Sequence, residues 1–156
     1  LYYLENNTSL TVLDLSGNQI DFQGVFYLSY YLSKNNVLKS LNLSHNKLYD
    51  SGCKLLGDGL KKNKTLEHLD ITSNKIGDEA FIEFGNKIME NTGLKSLKMF
   101  WENTWDEGSI KVFQQYLHQK GSDFYPDFTI YEDDDHKLNI AYLETHVPNE
   151  KQLLIE

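Results

Sequence analysis

A short phrase, Leu-x-x-Leu-x-apolar, returns every 28 residues along this chain, led by Leu10, Leu38, Leu66 and Leu94. Its second leucine is Leu13, Leu41, Leu69 and Leu97, and its third apolar residue is Leu15, Leu43, Ile71 and Met99. Asn18, Asn46 and Asn74 follow three residues later. A fixed period of this length admits few folds. One unit cannot bury its own apolar face, so units must stack side by side into a solenoid.

The chemistry within one period predicts its local structure. Leu41 and Leu43 alternate as in a half-buried strand. Asn46 then marks a tight bend, where its amide can both donate to and accept from main-chain groups. Stacked copies would align Asn18, Asn46 and Asn74 as a structural ladder inside the bends. Ile20, Leu48 and Ile76 return to the core. The period then changes: Val25, Leu28 and Leu32, with Cys53, Leu56 and Leu60, and Phe81, Phe84 and Ile88, are spaced as the apolar stripe of a helix. Asp50, Asp78 and Asp106 stand ahead of these stripes as expected helix caps. Asn35, Asn63 and Asn91 fall at the helix ends, where a left-handed conformation is expected. The predicted fold is therefore an α/β solenoid, curved, with parallel strands on the concave face and helices on the convex face.

The phrases LTVLDLSGNQI, LKSLNLSHNKL and LEHLDITSNKI, each followed by a helical stretch, resemble leucine-rich repeats of the ribonuclease-inhibitor type. Similar repeats form the sensing end of NACHT-containing receptors. They also occur in Ran GTPase-activating proteins, tropomodulins and an axonemal dynein regulatory complex subunit. The resemblance covers residues 1–121 and implies protein binding without naming a ligand. The domain reading is a partial repeat over 1–9, repeats starting at 10, 38, 66 and 94, and a degenerate terminal strand, cap and tail over 122–156. Leu4 and Asn7 lie one period before Leu32 and Asn35, so the chain reads as a piece of a longer protein.

The fourth copy departs from the pattern. Glu102 falls at the asparagine position and Thr104 at the Ile76 position, with Trp105 beside the slot and able to fill it. A distorted bend is expected there. Tyr125, Phe128 and Ile130 have strand spacing and are read as a degenerate fifth strand. The segment LNIAYLE fits either a strand or a short helix, and Leu153, Leu154 and Ile155 are expected to dock.

Charge and residue usage narrow the function classes. The net charge of −8 repels phosphate backbones, which argues against a nucleic-acid partner. All 15 basic residues are lysines, so no arginine finger exists in this piece. The lone cysteine, Cys53, sits at a core position and suits a reducing compartment. No apolar run is long enough to span a bilayer. No nucleophile elbow, phosphate loop or zinc-protease motif occurs, so neither catalysis nor a cofactor is expected.

Candidate contacts come from the strand positions facing away from the core. Asp14, Asn42, Asp70 and Lys98 form one row, and Val12, Ser40, His68 and Ser96 a second. The alternative is ordinary solvation of a sheet face. Phe100 and Trp101 align with Thr72 and Ser73, so exposure is expected for both. With Trp105 they make the first candidate anchor, against a rival role covering the solenoid end. On the convex face, Tyr2 and Tyr30, and Tyr3 and Tyr31, are one period apart, with Tyr27 nearby; they form a weaker candidate patch. The run Glu132, Asp133, Asp134, Asp135 and His136 reads as a solvated acidic loop rather than a metal site, since its spacing fits no EF-hand or zinc pattern. Three glycosylation triplets begin at Asn7, Asn42 and Asn63; the repeat itself generates them.

The functional expectation is a non-catalytic protein-binding scaffold. One alternative is a subunit built permanently into a cytoskeletal or ciliary assembly. A second, carried by the resemblance alone, is a GTPase regulator. An intracellular location follows from the same reading.

Overall fold

The computed structural model describes Leu4 and residues 7–143. Four repeats of a short strand followed by a helix make up most of it. The strands β1 (Val12–Asp14), β2 (Ser40–Asn42), β3 (His68–Asp70) and β4 (Ser96–Lys98) lie side by side in chain order, all parallel. The register is one full period: Leu13 pairs with Leu41, Leu41 with Leu69, and Leu69 with Leu97. The helices α1 (Phe22–Lys34), α2 (Tyr49–Lys62), α3 (Asp78–Ile88) and α4 (Glu107–Lys120) return the chain between strands.

The core lies between sheet and helices, where the sequence pattern placed it. Leu38, Leu43, Leu48, Leu56, Leu60, Leu66, Ile71, Ile76, Phe81, Phe84, Ile88 and Met99 are wholly buried. Full burial of such a side chain contributes about 2 kcal/mol. Adjacent helices approach closely where a glycine intervenes. A Cβ on Gly59 would lie 2.6 Å from the Ser29 carbonyl oxygen, so α1 and α2 could not keep this spacing with a larger residue.

Asparagine ladders hold the bends. Asn46 Nδ2 donates to the carbonyls of Leu15, Leu43 and Ser44, and its Oδ1 accepts the Ile20 amide. Asn74 does the same one period on, donating to Leu43, Ile71 and Thr72 and accepting from Leu48. Each amide thus satisfies buried main-chain groups of two successive units. A second ladder stands at the helix ends. Asn63 donates to the Leu32 and Asn35 carbonyls and accepts from the Thr65 and Leu66 amides. Asn91 repeats the arrangement with Leu60, Asn63, Gly93 and Leu94. This corrects the expectation of left-handed caps: Asn35 and Asn63 have extended backbones, with φ of −74° and −80°. Asn63 and Asn91 serve hydrogen bonding between units, and Asn35 closes its own turn through the Val37 and Leu38 amides.

The capping aspartates also differ from expectation. Asp50 lies in the first turn of α2 but accepts the Gly77 amide at 2.7 Å, at the entrance to α3. Asp78 accepts the Asp106 and Ser109 amides at the entrance to α4. Burial pushes the Asp78 pKa up, but these bonds outweigh it and the net shift is downward. Asp106 does cap its own helix, through Glu107 N–H and a reciprocal bond with Ser109.

The fourth bend contains one extra residue rather than a missing asparagine. Gly17, His45, Ser73 and Glu102 all have positive φ, so Glu102 matches the residue before each ladder asparagine. Asn103 takes the ladder role, donating to Ile71 and Met99 and accepting the Ile76 amide. The Trp101 carbonyl accepts the Ser73 amide, as Thr72 accepts that of His45. Trp101 therefore occupies the Thr72 place, and Phe100 is the insertion. Trp105 fills the Ile76 slot.

After a 3-10 turn at Gly121–Asp123, the expected fifth strand divides. Only β5 (Tyr125–Pro126) joins the parallel sheet. β6 (Phe128–Glu132) and β7 (Leu138–Tyr142) form a separate antiparallel hairpin, so Leu138–Tyr142 is strand rather than helix. Asp127 sits at the break and is 2% exposed. Its carboxylate accepts the Met99 and Phe100 amides at 2.9 and 3.1 Å, in place of the next strand's carbonyl. Burial raises its pKa, the two amides and its own oppose this, and nearby Asp70 adds to the rise. The expected docking residues Leu153, Leu154 and Ile155 lie outside the described residues.

Candidate binding surface

Short strands place alternate side chains on the two sides of the sheet. Leucines at the central position go inward, and the flanking residues form the outer sheet surface. Ser40, Asn42, His68, Asp70, Ser96 and Lys98, with the backs of Leu41 and Leu69, line a hollow of ≈ 290 Å³. The two candidate rows are thus brought together over the three central strands. Asp14 stands beside them, with Asn42 Nδ2 donating to its carboxylate at 3.3 Å.

Three of these polar residues also have a structural task that spacing did not reveal. Asp14 accepts the Ser16 amide, Asn42 that of Ser44, and Asp70 that of Thr72. Each closes its own bend through an oxygen two residues back, an Asx turn. Bonds to the Ser16 hydroxyl and amide hold the Asp14 pKa below its usual value. Alternating Asp and Asn at this row is the signal that could have exposed the role.

At the edge of the same surface, Glu67 binds Lys95 at 2.7 Å and Lys39 at 2.9 Å. Hydrogen bonds from Lys95 and then Lys39 lower its pKa to about 2. These residues are partly or largely exposed, so solvent screening keeps the contribution to stability small.

The C-terminal side of the hollow carries an aromatic cluster. Trp101 is 52% exposed and lies 4.9 Å from Tyr142, ring centre to ring centre; half-buried Phe100 lies 5.8 Å from Trp101 and 6.0 Å from Tyr142. Tyr125, also exposed, pairs in register with Ser96. Neither Tyr125 nor Tyr142 is marked as a contact by spacing, because the fifth unit has lost its period. Trp105 is a correction: it turns inward, 4.6 Å from Phe81, 5.2 Å from Phe128 and 5.4 Å from Phe113. It packs between repeats and offers no anchor, because the ladder insertion moved it into the core slot.

The helix-side candidates separate as well. Tyr27 and Tyr30 are exposed, next to exposed Phe22 and Phe26 on α1. Tyr31 is 4% exposed and belongs to the core, so it leaves the patch. Tyr2 and Tyr3 lie outside the described residues. The acidic run is the turn of the β6–β7 hairpin: Asp133 accepts amides from Asp135 and Lys137, and His136 Nδ1 lies 2.5 Å from Glu132 Oε1. Among the described residues, no group of three or more His, Cys, Asp or Glu side chains is placed to hold a metal ion. Cys53 is wholly buried, and burial raises its thiol pKa, so the thiolate nucleophile is disfavoured. Asn63 is buried with its amide engaged, which makes it unavailable as a glycan acceptor. No described helix is long and apolar enough to cross a membrane.

Three stretches, residues 6–29, 34–57 and 62–83, match the Leucine Rich repeat family model. Among solved structures, the chain is similar to "Leiomodin-1 Actin-Binding Site 2 (ABS2)", with a TM-score of 0.68 and 26% identity over 76% of this chain and 68% of that one. No curated protein sequence matches the chain.

Proposed function

From a chain built of leucine-rich repeats, we propose a non-catalytic protein-interaction scaffold that binds its partner on the sheet surface. The observation that carries this reading is a hollow bearing Asn42, His68, Asp70 and Lys98, followed directly after Lys98 by half-buried Phe100 and exposed Trp101, which cluster with exposed Tyr142. Asn42, His68, Asp70 and Lys98 supply hydrogen bonds and charge, and Trp101 supplies a large apolar contact. The repeats hold these groups in fixed positions, which lowers the ordering cost of association. No cofactor is needed for this role.

The similar solved chain is named for binding actin, so actin is the first partner to test. Co-sedimentation with filaments and a gel shift with monomeric actin measure it. Binding weakened by Trp101→Ala, and by His68→Ala with Lys98→Ala, supports a cytoskeletal partner at this surface. Binding that ignores all three places the contact elsewhere. Loss of the interaction with both forms of actin removes that partner and leaves the scaffold role to other proteins.

A second reading, a subunit held permanently in a cytoskeletal assembly, rests on exposed Phe22, Phe26, Tyr27 and Tyr30 along α1. It expects this chain to purify with fixed neighbours protecting those rings from solvent.

A further inference from the structure

We propose that the hollow receives an acidic stretch of a partner protein, a carboxylate meeting Lys98 while a neighbouring apolar residue lies on Phe100, Trp101 and Tyr142. This rests on the sheet surface being the binding surface.

The carboxylates around Lys98 are already engaged by backbone amides. Asp14 accepts from the Ser16 amide at 2.8 Å and from Asn42 at 3.3 Å. Asp70, directly paired with Lys98 in the sheet register, accepts the Thr72 amide and hydroxyl at 3.0 and 2.7 Å. Asp127 is buried and accepts two amides. Each nearby carboxylate is therefore committed to closing a bend. Lys98 forms no ion pair among the described residues, whereas Lys39 and Lys95 on the same sheet both bind Glu67.

The row position explains why. In earlier repeats this position must accept a bend amide, so Asp or Asn stands there. A lysine has no acceptor. The fourth bend is instead closed from the following unit by Asp127, which releases this position from structural duty. A half-buried cation then faces a hollow lined with Ser40, Asn42, His68 and Ser96. An incoming carboxylate would gain a charge-assisted hydrogen bond there.

Selection of a random phage-displayed peptide library on the immobilised 156-residue chain tests this. Selected peptides should carry Asp or Glu beside an aromatic or aliphatic residue. Lys98→Glu and Trp101→Ala should each weaken them by about tenfold or more, with Lys61→Ala on the outer helix without effect. Both variants should melt as the parent does. Peptides that need Trp101 but lack an acid and ignore Lys98→Glu would overturn this inference and leave the sheet-surface reading intact. Peptides indifferent to both substitutions, or an empty selection, would overturn both.

Discussion

The first and fourth repeats are finished in opposite ways. At β1, Val12 is 62% exposed and Leu10, Leu13, Leu15 and Ile20 are only half-buried. Asn18 bonds to carbonyls of its own bend alone. At β4, Leu97 and Met99 are wholly buried, and Asn103 links two bends. The difference shows what one repeat lacks. Each strand's amides find acceptors on the next unit, as Leu15 does on Asn42 and Leu43 on Asp70. A last unit has no successor, so the chain supplies substitutes. Asp127 replaces a carbonyl, Trp105 fills the core slot, and Lys120 Nζ reaches the Asn91 carbonyl where a ladder asparagine would stand.

The sharpest way to break this comparison is to delete the same residue type at both places. Asn74→Ala strands three buried carbonyls and an amide, and should cost about 3 kcal/mol or more. Asn18→Ala, with an exposed side chain bonded only locally, should cost less than about 1 kcal/mol. Urea unfolding measures both; equal losses would mean that the ladder does not join units.

Next in size is Asp127→Asn, which presents an NH2 group to one of two amides and should cost about 1–3 kcal/mol at neutral pH. The pH dependence has a defined sign. The folded pKa of Asp127 lies above its unfolded value of 3.8, so the folded form holds the proton more tightly. The advantage of Asp over Asn should be greatest below that value and narrow as pH rises through the folded pKa. A gap that widens with pH would contradict the burial described.

Glu67→Gln should have a smaller effect, under about 1 kcal/mol, because its lysine partners are solvated. Here the folded pKa is depressed. The contribution should be present above pH 4.5 and lost as pH falls toward about 2. Acid denaturation curves of the two proteins should therefore differ above that window and converge below it. Smallest of all, Trp101→Ala should leave stability within about 0.5 kcal/mol, since the ring is an exposed side chain outside the core. A large loss would make it a cap rather than a contact.

How much was legible in the sequence follows the same contrast. Leu41, Asn46, Leu56 and their equivalents announce themselves because neighbours one period away impose the same demand on each. The row Asp14, Asn42, Asp70 and Lys98 followed from that register. The fourth bend did not. A single inserted residue at Phe100 shifts every later position, so Glu102 aligns by period with the asparagines and Thr104, one residue before Trp105, with the Ile76 slot. The helix-end ladder of Asn63 and Asn91 was visible as spacing, but its purpose needed the neighbouring carbonyls in space. Tyr142 reached the aromatic cluster through a hairpin, and no periodic signal reports such a contact.

The central claim is that stacking converts a sequence separation of one period into direct contact. Methyl NOEs among selectively labelled leucines test it without reference to any partner. The account predicts cross-peaks linking Leu41 to Leu69 and Leu69 to Leu97, with none from Leu41 to Leu97 directly. Absence of the two nearest-neighbour cross-peaks in the folded protein would contradict it.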